Sequence, residues 1–242
     1  MRVAVVSDIH ANRHALEAVL ASLNADSPDA VWCLGDLVGY GPQPNACCAA
    51  VEERADVCLI GNHDLAVLGR LDLEDFAPDA AESARWTQSV LEPEHRAFME
   101  SLEPQTSEGD VELYHASARD PVWEYVLTPL SAFASFAETD ARILLVGHSH
   151  VALAFALTED RLETSITPGG TELDLAEGRW ILNPGSVGQP RDGDPRAAYL
   201  ILDLDGWRAE YRRVDYPVEL TQEEIRDLGL PEALAERLAH GI

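Results

Sequence analysis

A chain of 242 residues, 46% hydrophobic and 25% charged, has enough material for a sizeable core and the balance of an ordinary globular protein, read here as one domain spanning 1–242. A net charge of −26 argues against extended nucleic-acid binding, and the absence of lysine among its 17 cationic residues excludes a Schiff-base lysine and a P-loop lysine. The apolar runs are too short for a membrane span, and Asp8 comes too early for a secretory leader, so a cytoplasmic protein is expected.

Residues 3–6 form an apolar run typical of a strand buried on both faces, and Asp8 and His10 lie just past its carboxyl end. Helical spacing follows from Ala11, with Leu16, Val19, Leu20 and Leu23 in phase and Ser27-Pro28 in the loop beyond. Residues 30–34 repeat the strand and deliver Gly35-Asp36, and a helix through Ala46, Ala49, Ala50 and Val51 follows Gly41-Pro42. A third strand, 57–60, ends on Gly61-Asn62-His63-Asp64 before a helical stretch near 65–68. Successive strands thus present polar side chains at their carboxyl ends, where open α/β sheets bind ligands.

From about 71 to 103 the pattern is acidic and helical, with Pro78 and Pro93 near helix starts, and it reads as a helical flank or cap. A strand at 111–114 leads into His115, and the loop 118–125 is expected to border a substrate pocket. A helix at 131–137 and a strand at 143–146 then reach Gly147-His148-Ser149-His150. Beyond His150 the strands follow one another closely, at 151–157, 162–166, 180–182 and 198–204, and Asp205-Gly206 turns the last into 207–214. A C-terminal helical segment at about 221–240 is interrupted at Gly229-Leu230-Pro231. Cys33, Cys47, Cys48 and Cys58 lack CxxC spacing and disulfide density, so they read as reduced thiols, with Cys33 and Cys58 in strands.

Taken singly, Asp8 or Asp36 would be a loop or cap residue and His115 a buried core histidine. Their joint occurrence points elsewhere, because burying several carboxylates and imidazoles together calls for a cation. Two divalent ions roughly 3.5–4 Å apart can activate water and stabilise both oxygens of a phosphoryl displacement, and a shared carboxylate holds them that close. Asp36 is the candidate for that carboxylate. The available ligands are carboxylate, imidazole and amide, suited to manganese, iron or zinc, as two divalent or mixed-valence ions.

The order Asp-x-His, Gly-Asp, Gly-Asn-His-Asp, His, Gly-His-x-His from Asp8 to His150 resembles the calcineurin-like metallophosphoesterase superfamily. The resemblance implies an α/β fold, a four-layer α/β/β/α sandwich of two mixed sheets flanked by helices. It implies that Asp8, His10, Asp36 and His150 bind one metal and that Asp36, Asn62, His115 and His148 bind the other. His63 would assist the leaving oxygen, oriented by Asp64, while a metal-bridging hydroxide attacks phosphorus in line. Segments 114–121 and 183–191 look like those of the small bacterial branch containing phosphodiesterases and relatives of diadenosine tetraphosphatases.

Gly39-Tyr40 stands where protein phosphatases and symmetrical dinucleotide hydrolases of the superfamily carry an Asp-Arg pair that grips phosphate. Arg191 or Arg119 is the candidate to supply that charge, and Tyr40 or Trp123 either stacks on an aromatic group or packs at the rim. Ser186 and Arg191 lie in a loop read equally as a phosphate contact or a glycine-proline turn, and Asp192-Gly193-Asp194 reads as a turn. His14, His95 and His240 are assigned to surface or packing. The expected substrate is a small phosphodiester, nucleotides included, with phosphomonoesters or phosphoproteins as the alternative, and assembly of identical copies is left open. A non-catalytic interaction scaffold of the same fold, like the retromer subunit, is the alternative of another class.

Overall fold

In a computed structural model that describes residues 1–159 and 161–242, β1 (Arg2–Val6) lies inside a sheet because both of its faces are apolar. Val3 and Val5 face one side and Ala4 and Val6 the other, all four buried. α1 (Arg13–Asp26) follows, capped by the Asn12 side chain, which accepts from the Ala15 amide at 3.2 Å. β2 (Ala30–Cys33), α2 (Pro44–Arg54), β3 (Val57–Cys58) and α3 (Asn62–Val67) continue the alternation. α4 (Pro78–Val90) and α5 (Pro93–Glu100) each begin with proline, whose missing N–H has no intrahelical partner to lose at that position. β4 (Gln105–Glu108), β5 (Val111–Tyr114), α6 (Pro129–Ala137), β6 (Ile143–Val146), β7 (Ala152–Leu157) and β8 (Leu162–Ile166) come next. β9 (Glu172–Asp174), β10 (Arg179–Pro184), β11 (Ala197–Asp203), β12 (Arg208–Val214), α7 (Val218–Asp227) and α8 (Glu232–Glu236) complete the described strands and α-helices.

One six-stranded sheet has the order β3-β2-β1-β11-β12-β9 and the other β4-β5-β6-β10-β7-β8. Both are mixed: β1, β2 and β3 pair in parallel, as do β5, β6 and β10, and the later strands add antiparallel neighbours. Val3, Val5, Trp32 and Leu200 of the first sheet meet Leu113, Ile143, Leu145 and Leu182 of the second in one buried cluster. Ala4, Val6 and Val31 pack outward against Leu16, Val19, Cys47 and Val51 of α1 and α2. Leu144, Val146 and Phe155 pack against Ala132 and Phe136 of α6. This is the four-layer α/β/β/α sandwich of two mixed sheets that the sequence implied.

β11 and β12 form the expected hairpin, with Asp203 opposite Arg208, and the cysteines are free thiols. Two strands were not anticipated, β4 and β9. No described helix is long and apolar enough to cross a membrane. The carboxyl ends of β1, β2, β3, β5 and β6 lead into the segments that carry Asp8, Asp36, Asn62, His115 and His148.

Candidate metal centre

The turns after these strands are unusually tight. Asp8 (φ 54°), His10 (48°), Asp36 (54°), His148 (62°) and His150 (60°) all adopt left-handed backbone, which is unfavourable by about 1 kcal/mol or more for a residue with a Cβ. Strain of this kind persists only where the surroundings enforce it. Here the enforcement is close stacking of one turn on the next: a Cβ on Gly61 would collide with the Asp36 carboxylate and would lie 2.5 Å from the Asp36 amide nitrogen.

Two groups of ligand-type atoms result, Asp8, His10, Asp36 and His150 in one and Asp36, His115 and His148 in the other, with Asp36 common to both. Asn62 joins the second group through its Oδ1, 3.1 Å from His115 Nε2. None of these seven residues is more than 4% exposed. The imidazoles are oriented by main-chain carbonyls. Nδ1 of His10 lies 3.0 Å from the Val38 oxygen, that of His115 2.8 Å from Leu34, and that of His150 2.6 Å from Gln189. An Nδ1–H donating to each carbonyl leaves Nε2 of all three free to coordinate. His148 is held the other way round, with Nε2 at 3.2 Å from the Trp123 oxygen, so Nδ1 is its free nitrogen.

These residues fit a pair of cations. Nε2 of His10 and Nε2 of His150 face each other at 3.0 Å, an arrangement suited to two lone pairs converging on one ion. One Asp36 oxygen, Oδ1, accepts from the His63 amide at 2.9 Å, while Oδ2 is buried with no hydrogen-bond partner. Burial, then repulsion from Asp64, pushes the Asp36 carboxyl well above its ordinary range, and burial pushes Asp8 up to about 7. Burial likewise holds His10 and His150 well below the ordinary histidine value and takes His148 to about 2, so these imidazoles are neutral, as ligands must be.

Residues 1–206 match the calcineurin-like phosphoesterase superfamily domain. The chain belongs to this superfamily. Over 99% of its length it is 36% identical to an uncharacterised protein of Methanocaldococcus jannaschii, of which the match covers 98%. A metallophosphoesterase from Sphaerobacter thermophilus superposes with a TM-score of 0.90 at 43% identity, covering 100% of this chain and 99% of that one. A hypothetical protein from Pyrococcus horikoshii OT3 shares the fold at a TM-score of 0.81 and 20% identity, covering 100% and 98% of the two chains. The two adjacent groups are consistent with the dinuclear site of a metal-dependent phosphoesterase.

In this metallophosphoesterase His63 sits on the first turn of α3, and its buried Nδ1 has no partner. That nitrogen is turned toward Gly39, where an added Cβ would lie only 2.7 Å away on a backbone with φ of +87°. Tyr40 and Phe76 flank the ring, with centroids at 4.3 and 5.2 Å. Burial, then the nearby Arg191 charge, takes His63 down to about 3. Asp64 does not orient this imidazole, contrary to the expectation from sequence. Its oxygens accept from the amides of Gly61 and Val38, each at 3.0 Å, because consecutive helical residues point in different directions.

Of the two candidate arginines, Arg191 is at the centre. Its guanidinium donates to the Gln189 side-chain oxygen at 2.9 Å and to the Tyr40 hydroxyl at 3.3 Å. Arg119 is largely exposed and ion-paired with Glu124. Ser186 donates to the Asp8 carbonyl at 2.7 Å, and Asn183 donates to the Gly147 carbonyl at 2.8 Å, so this loop stitches the two ligand-bearing turns together. The loop 118–125 does border the centre, through the Trp123 carbonyl and through Tyr125, whose ring stacks on His148 at 4.2 Å. Sequence reasoning missed Gln189, Phe76 and Tyr125. The contact of Gln189 with His150 was invisible because it is made through a main-chain oxygen that any residue possesses.

Proposed function

We propose that the chain is a two-metal phosphodiesterase acting on small substrates, nucleotides among them. The observation that carries this reading is the free Oδ2 of Asp36, 3.5 Å from His10 Nε2 and 3.6 Å from His115 Nε2, between the two groups. Asp8, His10, Asp36 and His150 would hold one ion, and Asp36, Asn62, His115 and His148 the other. The donor set contains no thiolate and suits manganese, iron or zinc. Two such ions supply Lewis acidity for attack of water on phosphorus and offset the charge that develops there.

The protein's own groups then divide the remaining work. Arg191, fixed by Tyr40 and Gln189, presents its guanidinium to a non-bridging phosphate oxygen. His63, kept neutral by burial and with Nδ1 turned to Gly39, directs its Nε2–H toward the leaving oxygen and donates a hydrogen bond to it. Hydrolysis thus places the water oxygen on phosphorus, and the proton that the water gives up ends on the departing alcohol. Ligands from both sheets meet in the first group, which supports the chain working as a single domain.

Diesters are favoured over monoesters and phosphoproteins for two reasons. A diester monoanion needs less cationic compensation than a monoester dianion, and Arg191 is the arginine engaged with residues of the centre. The net charge of −26 also opposes acidic macromolecular substrates. The test is a set of paired mono- and diesters of the same alcohols with manganese-loaded protein. Higher kcat/KM for the diester of each pair is expected, and the reverse preference would overturn the assignment.

A further inference from the structure

Four aromatic rings border the buried centre on the side of His63 and His148, and all four come from connections outside the strands. Tyr40 follows the Asp36 turn, Phe76 ends the segment between α3 and α4, and Trp123 and Tyr125 belong to the loop before α6. Phe76 contacts His63 on one side and Trp123 on the other, at centroid distances of 5.2 and 5.0 Å, so two separate connections meet above the imidazole. Tyr125 lies nearly parallel to the His148 ring, with an interplanar angle of 6° and centroids 4.2 Å apart. It is nevertheless 46% exposed.

A large aromatic ring this open to water is not held in place by core burial. It is held by the stack on His148 and by its loop, which is tied to the same imidazole through the Trp123 carbonyl. One face of Tyr125 is therefore committed to the centre while the rest of the ring remains accessible. Such a ring is a platform for any planar aromatic group, since stacking does not depend on a hydrogen-bond pattern. Arg191, in contact with Tyr40, supplies the charge that places a phosphate at the same mouth.

We infer that the centre takes phosphoesters carrying a planar aromatic group, a nucleobase or an aryl ring, seated on the accessible part of the Tyr125 ring. The inference rests on the phosphoesterase reading above and adds which ester group is recognised.

The test is calorimetric titration of the manganese-loaded chain with two matched pairs. Adenosine 5′-monophosphate is compared with ribose 5-phosphate, and phenyl phosphate with methyl phosphate, so that within each pair the phosphate is shared and the aromatic group is not. In at least one pair the aromatic member should bind about tenfold more tightly or better. Preference in the nucleotide pair assigns a nucleobase, and preference in the phenyl pair alone assigns an aryl ester. Tyr125→Ala should reduce the ratio to about twofold or less, whereas Tyr125→Phe should preserve it. Equal affinities within both pairs for the unmodified protein overturn the inference, as does an undiminished ratio in Tyr125→Ala. Hydrolysis of bis(p-nitrophenyl) phosphate, followed in parallel, judges the phosphoesterase reading separately: inactivity there strikes the reaction, and the affinity ratio strikes only the platform.

Discussion

The unpartnered Oδ2 of Asp36 stands 3.5 Å from Nε2 of His10, inside a pocket that neither residue shares with bulk water. His115 approaches the same oxygen at 3.6 Å, so one carboxylate atom lies between two sets of ligands. Asp36→Asn keeps the shape of the side chain and removes its charge. Metal content should fall below two ions per chain, and kcat/KM on a diester should drop by at least about 100-fold. Elemental analysis alongside initial rates measures both, and full metal content with an unchanged rate would refute the shared-ligand role.

His63 touches the same centre without belonging to either ligand group. Its replacement by alanine should therefore separate the two functions of the site. Turnover should fall by about 10²-fold or more, because the leaving oxygen loses a positioned hydrogen-bond donor, while metal content stays at the level of the unmodified protein. The loss should be larger for esters of poorly departing alcohols, because these develop the most charge on the leaving oxygen and depend most on a hydrogen bond to it. A uniform loss across a series of leaving groups would argue that His63 only packs against the site.

The fold and the ligand-type residues were legible in the chain because both depend on strong local signals. Val3 to Val6 are apolar on consecutive positions, which few structures other than a doubly covered strand accommodate, and Asp8 and Asp36 end such runs abruptly. β4 was not legible, since Gln105-Thr106-Ser107-Glu108 is polar and exposed throughout and owes its strand to pairing with β5. β9 is three residues long and is defined by its pairing with β12. The direction of Asp64 was lost for a related reason. Adjacency in sequence suggested contact with His63, but on a helix it means divergence.

Asp64 is better understood as a staple between two ligand-bearing segments. Its two oxygens accept from Val38, just past Asp36, and from Gly61, just before Asn62. Asp64→Ala leaves both amides buried without acceptors, which should destabilise the fold by about 1–3 kcal/mol for each. Asp64→Asn retains one acceptor and should lose roughly half as much. Urea unfolding measures the difference. A variant of full stability with impaired turnover would instead restore Asp64 to the role of orienting His63.

Chelation should expose the cost of the buried carboxylates, and its pH dependence has a definite sign. Burial pushes Asp8 up to about 7 and Asp36 well above the ordinary range, so the folded chain holds these protons more tightly than the unfolded one. A group of this kind favours folding at low pH, and stability is lost as pH rises toward its folded value. The loss from Asp8 runs up to its folded value of about 7, and Asp36 adds to it in the same direction. The neighbouring imidazoles of His10, His63, His148 and His150 are held low, so their contribution is lost only on acidification below about pH 6.5 and is flat above it. Calorimetric melting after exhaustive removal of divalent ions should therefore show a larger fall in Tm at about pH 8 than at about pH 6.5, by several degrees. Restoring manganese should close most of that gap, because the cation offsets the charge that the protons otherwise neutralise. Equal losses at both pH values would mean that Asp8 and Asp36 are not the groups whose charge the metals compensate.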